Sequence, residues 1–292
     1  MGMAVCLCVL PARAGQITGD GHAGERKPEL LLFHASGPLP SYEVATVKLL
    51  DPDTASSMVR LPPGGGLSPL SMRRYIMNAY GAFYAAQVVG GPEWLNKDAY
   101  VIRGKVPDEL ETAMQKMPGE ERIEETREME EGLLAERFHL KAHFETRVLP
   151  VYELVAAKGG LKISAVTAPP ERKGGDAAPH GDAALAPGTM TTAVNSDGLR
   201  VLNGRAIRMQ LLMRVIGGDL GDRPVVDHTG FTGYFDVSDF GWAPLGDASG
   251  ASLPDADSLR MGLQEKLGIR VVEARDPIEV LVVDSIERPS PN

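Results

Sequence analysis

Apolar side chains at Met72, Tyr75, Ile76, Ala79 and Tyr80 follow the i, i+3, i+4, i+7, i+8 spacing of one buried helix face. They predict a helix from about Ser71 that stops at Gly81. Before it, Tyr42, Val44 and Val47 alternate as a strand ending near Asp51 and Pro52, and Pro62, Pro63 and three consecutive glycines from Gly64 mark a loop. After it, Val88 and Val89 run into a Gly90-Gly91-Pro92 turn, and residues 100–102 form another short strand. Residues 118–137 are highly charged, with only Ile123, Met129, Leu133 and Leu134 as an apolar stripe, the pattern of a helix lying on a surface. Residues 138–146 and 151–156 then read as a hairpin that turns at Pro150 and closes near Gly159 and Gly160.

The same pattern returns later in the chain. Leu134, Glu136, Arg137, Phe138, Leu140 and Lys141 match Leu263, Glu265, Lys266, Leu267, Ile269 and Arg270 in order and spacing, and Pro277 takes the place of Pro150. Upstream, Leu70, Met72, Tyr75, Ile76 and Ala79 match Ile207, Met209, Leu212, Met213 and Ile216. These matches predict an α+β fold of two tandem related units, each a helix with short strands followed by a helix plus β-hairpin. Unit A spans residues 41–160 and unit B residues 197–292. Residues 161–196, rich in Ala, Pro, Gly and Asp, bury too little apolar surface to offset ordering entropy and read as a flexible linker. A shorter loop of the same character falls at residues 244–257. Residues 15–40 mix Gly, Pro, His and charge without periodicity, so they read as an extended N-terminal segment outside the core.

Residues 3–10 form an apolar run followed by Pro11 and the small-x-small triplet Ala12-Arg13-Ala14. This reads as a signal peptide of residues 1–14, although its n-region has no Lys or Arg, which a start codon further upstream would supply. Cleavage after Ala14 would remove Cys6 and Cys8, the only cysteines, and leave neither disulfide nor thiol chemistry. The expected location is periplasmic or extracellular. No other run approaches the roughly 20 apolar residues of a membrane-spanning helix. The formal net charge of -9 argues against general binding to nucleic acid or anionic membranes, which requires a cationic footprint.

Candidate chemistry is sparse. His139 and His143 share a strand face with Lys141, which would repel a metal, and no Glu follows His139 as a zinc-protease helix requires. Asp227, His228, Asp236 and Asp239 are the densest set of possible ligands or acid-base groups. Against that stands a turn built by Gly230 and Gly233, in which Asp and Thr side chains bond local amides. Ser68, Ser71, Ser196 and Ser238 lack the context of a nucleophile elbow, and the glycines at 64–66 have no following Lys. Trp94, Tyr100, Tyr234 and Trp242 stand out where aromatics are 5% of the chain, either as a groove for glycan or peptide or as core packing.

Several stretches carry a family resemblance. They are residues 42–48, the run Gly90-Gly91-Pro92-Glu93-Trp94-Leu95 with Tyr100, and residues 133–160 through His143, Thr146, Pro150 and Tyr152. Arg223-Pro224-Val225-Val226-Asp227 with Gly230, Gly233, Tyr234 and Asp236, and the end through Leu263, Glu265, Leu281 and Asp284, complete the set. Over residues 41–292 the chain resembles a soil-associated bacterial family abundant in Acidobacteria, a domain of unknown function whose members look exported. The resemblance implies no activity, cofactor or catalytic residue. The helix before residues 224–237 also resembles small secretin and receptor N-terminal modules, which are α+β interaction domains. Together these features suggest a non-enzymatic module of the cell envelope that binds an envelope protein or a cell-wall component, with Trp94, Tyr100, Asp227, His228, Tyr234, Asp236 and Trp242 as binding candidates. No catalytic residue, metal or cofactor is assigned. The alternative is a metal-dependent or hydrolytic envelope enzyme using Asp227, His228 and Asp236.

Overall fold

The computed structural model describes residues 30–50, 70–169, 185–244 and 256–289. The signal peptide, both cysteines, the glycine loop at 64–66 and most of the loop at 244–257 lie outside the described residues. The fold is mixed α+β, with three sheets and two main apolar cores.

The first core forms around helix α1 (Met72–Ala79), whose Ser71 side chain accepts the Arg74 N–H as an N-cap. Strands β1 (Val44–Leu49), β2 (Leu70–Ser71) and β4 (Ala99–Lys105) form one sheet in the order β1-β4-β2, with β3 (Val88–Gly90) joining another. Short helices α2 (Trp94–Lys97) and α3 (Asp108–Met114) flank β4, and the 20-residue helix α4 (Gly119–Phe138) packs on α1. Met129, Leu133, Leu134 and Phe138 are the buried stripe of α4, while Ile123 stays half-exposed. Arg73 stitches this region together by donating to Asn96, to the Val88 carbonyl and to the Gly90 carbonyl.

Strand β5 (Lys141–Ala156) corrects the expected hairpin. It runs unbroken through Pro150, and β11 (Ile269–Ser285) runs unbroken through Pro277. Each pairs with the other instead of folding back on itself, antiparallel from Ile269↔Ala156 to Ser285↔Lys141. The prolines are tolerated because β9 (Val225–His228) flanks β5 only at 152–155 and β3 flanks β11 only at 281–283. In between the ladder is two strands wide, and a missing N–H on the open side costs no ladder bond. The ladder ties the molecule together. Its end with Ala142, Phe144, Leu281 and Val283 packs in the first core, and its end with Leu154, Ile269 and Val271 packs in the second.

The second core gathers on helices α5 (Met209–Leu220) and α6 (Ala256–Gly262), the latter continuing as a π turn at Leu263–Leu267. Strands β6 (Ala165–Val166), β7 (Thr189–Val194), β8 (Leu199–Ile207) and β10 (Tyr234–Pro244) form its sheet in the order β6-β10-β8-β7. Both β6 and β7 fall within the stretch whose composition reads as a linker. They pair through backbone groups on an edge, a role that needs no large apolar side chain. The N-terminal segment is likewise more engaged than its composition suggests. Leu32 is buried in the first core, its N–H donates to Glu279 at 2.6 Å, and His34 stacks on Phe144 at 3.7 Å.

Candidate functional site

A cleft of about 790 Å³ opens where α1, α4 and α5 meet, between the two cores. A volume in the range of small-molecule sites makes it the principal candidate. On its glycine-lined side the Tyr84 ring packs against Gly217, where a Cβ would stand 2.9 Å from the Tyr84 hydroxyl, whereas a Cβ on Gly218 would meet nothing within 4 Å. Phe83, more than two-fifths exposed, and Ile123 supply apolar wall.

Three arginines line the cleft from three separate segments: Arg74 of α1, Arg127 of α4 and Arg214 of α5. Arg127 lies 5.6 Å from the centre of the Phe33 ring, and Arg214 lies 5.1 Å from that of Phe83. Among the described residues none of the three makes a salt bridge or a side-chain hydrogen bond, in contrast to Arg73 one position away from Arg74. The acids present are Asp222 and Glu130. Burial pushes the Glu130 carboxyl up to about 7, against the opposing pull of Arg127.

The residues singled out from sequence do not form one site. Tyr100 is buried in the first core, edge-on to Phe138, and Trp94 lies beside it with Arg288 stacked 5.1 Å above. Trp242 is buried in the second core, where its indole N–H donates to Asp219. The two tryptophans therefore cannot line a common groove, because each fills a different core. Tyr234 stacks with Arg208 and is hydrogen-bonded to it. Asp236 accepts the backbone N–H of Ala206 at 2.7 Å, where the chain takes a left-handed conformation. Asp227 closes an Asx turn by accepting from the Thr229 N–H at 2.9 Å and its hydroxyl at 2.6 Å, with Gly230 left-handed behind it.

His228 points to different partners from those the sequence suggests. Its Nδ1 lies 3.4 Å from Glu153 and its Nε2 3.4 Å from the fully buried Asp276. Asp276 pairs across the ladder with Leu149, whereas His228 pairs with Val155, six residues further along β5. Flat strands would hold those levels about 20 Å apart, so the contact means that the sheet curls over this face. One imidazole and two carboxylates, with ligand atoms within 4.8 Å of one another, could hold a divalent cation. Glu153 and Asp276 escape sequence reading because each belongs to a different strand. The trace for Glu153 is an acid set inside the otherwise apolar run 151–155.

The chain belongs to the family described as "Protein of unknown function (DUF3738)", which matches residues 73–286. No match was found among curated proteins or among solved structures.

Proposed function

We propose that this protein is a non-enzymatic binding module of the cell envelope, exported to the periplasm or beyond, and that the cleft between α1, α4 and α5 holds its ligand, a cell-wall component or a segment of an envelope protein. The cleft carries this reading: it combines ligand-sized volume, exposed apolar wall and three arginines that make no side-chain hydrogen bond among the described residues, at the junction of two cores. The signal-like start supports export. The family's soil association and abundance in Acidobacteria, and a build from two duplicated units with boundaries at residues 41–160 and 197–292, belong to the same proposal. Similar junctions support duplication, since both α4 and the π turn end in a left-handed residue, His139 or Gly268, and lead into the two long paired strands.

Co-sedimentation of the full chain with purified peptidoglycan sacculi tests the cleft directly. At Gly218 a Cβ would meet nothing within 4 Å, so Gly218→Trp places bulk in the cleft and should reduce the bound fraction at least fivefold while leaving the unfolding midpoint unchanged. Undiminished binding by that variant would contradict the cleft as the site.

The Glu153, His228 and Asp276 cluster favours a second reading, a metal-dependent enzyme. It predicts close to one equivalent of a divalent ion in purified protein and its loss in His228→Ala. Less than a tenth of an equivalent would remove this reading. A group of Asp227, His228 and Asp236 is not its basis, since Asp227 is held by its own turn and Asp236 by the Ala206 N–H of β8.

A further inference from the structure

We infer, building on the cleft as the binding site, that it selects a ligand bearing carboxylates and that Arg74, Arg127 and Arg214 are the groups that hold them. Arginine presents a planar fork of N–H donors that matches a carboxylate bidentately. Where a protein keeps such a fork for structure it is bonded in place, as Arg200 is by Asp219 and Arg137 by the Ala45 carbonyl. Three cleft arginines lack such partners among the described residues. Arg214 lies over the Phe83 ring and Arg127 over the Phe33 ring, cation–π contacts that hold a guanidinium without consuming its N–H donors.

The surrounding charge sharpens this. The cleft lining carries three arginines against Glu130 and Asp222, in a chain whose formal net charge is -9. Burial favours the neutral form of Glu130, which removes part of even that opposing charge near neutrality. Such a lining attracts small anions at a rate that depends on ionic strength and does not create the extended cationic surface that a nucleic acid needs. The exposed Phe83 and Ile123 supply contact for an apolar part of the ligand, and Gly218 leaves room for it. The fitting class is a small molecule with two free carboxylates and an uncharged body, such as an acidic muropeptide.

Calorimetric titration of the full chain with N-acetylmuramyl-L-alanyl-D-glutamate, its diamide and inorganic pyrophosphate tests the inference. The dicarboxylate should bind at least tenfold more tightly than the diamide. Arg74→Gln and Arg214→Gln, both exposed, should each weaken it about fivefold and narrow its advantage over the diamide. Raising salt should weaken only the charged probe. Equal binding of dicarboxylate and diamide would overturn anion selection while leaving the cleft reading intact. Pyrophosphate binding without dicarboxylate binding, lost in Arg214→Gln, would overturn the carboxylate assignment in favour of phosphate. If none of the three binds, the inference is overturned, and the Gly218→Trp sacculus assay then decides separately whether the cleft binds at all.

Discussion

The two cores treat buried acids in opposite ways. On α5, Asp219 accepts from Arg200 on both oxygens at 2.8 Å and from the Trp242 indole at 3.0 Å, so its charge is met from two sides. On α4, the adjacent Glu130 and Glu131 are both pushed up to about 7, chiefly by burial, and Glu128 adds to the shift of Glu131. Among the described residues one Glu131 oxygen has no hydrogen-bond partner, although the residue is only 7% exposed. The difference teaches that pH sensitivity should reside in the first half of the molecule. The junctions where α4 and the π turn pass into the long strands differ as well. His139 enters the left-handed region with a side chain, at φ 50°, whereas Gly268 does so without one, at φ 66°.

The second junction should break most severely. A Cβ at Gly268 would lie 2.3 Å from the Gly160 carbonyl oxygen and 2.8 Å from the Lys162 N–H nitrogen, so Gly268→Ala should cost about 3 kcal/mol by denaturant unfolding. Removing the met charge comes next. Asp219→Ala strands a partly buried arginine and an indole N–H, and should cost about 2 kcal/mol after allowing for the partial exposure of Arg200.

The unmet acids give a smaller effect whose sign depends on pH. Because the folded state keeps the Glu130 and Glu131 protons up to about 7 while the unfolded chain releases them near 4.5, the folded state binds more protons throughout that window. Stability contributed by these groups is therefore fully present below about 4.5 and declines as pH rises to about 7. Glu131→Gln should flatten this slope and gain about 1 kcal/mol at pH 7.5, whereas Asp219→Asn should leave the slope in place. An unchanged slope in Glu131→Gln would remove the contrast between the cores. Last, His139→Gly should be neutral or stabilising by up to about 1 kcal/mol, because glycine relieves the left-handed strain there but is freer when unfolded.

Much of the fold is legible in the sequence because period-3.6 and alternating patterns mark surfaces that must be buried. Met72, Tyr75, Ile76 and Ala79 form the buried face of α1, and Met209, Leu212, Met213 and Ile216 form that of α5. Pro150 and Pro277 mislead because proline marks either a turn or an open strand edge, and only the neighbouring strands decide between them. The candidate site is largely illegible for a related reason. Arg74, Arg127 and Arg214 are each ordinary charges in their own helices and become a site only when α1, α4 and α5 converge. His228 is visible as a polar residue at a strand end, but its contacts with Glu153 and Asp276 depend on a curl of the sheet that no local pattern encodes.

Hydrogen exchange of the full chain, with and without saturating N-acetylmuramyl-L-alanyl-D-glutamate, tests the central claim most directly, because a ligand in the cleft must slow opening of the elements that line it. The account predicts added protection together in residues 74–85, 123–130 and 214–222. Protection confined to the strands carrying Glu153, His228 and Asp276, or none in the cleft helices under saturating ligand, would contradict it.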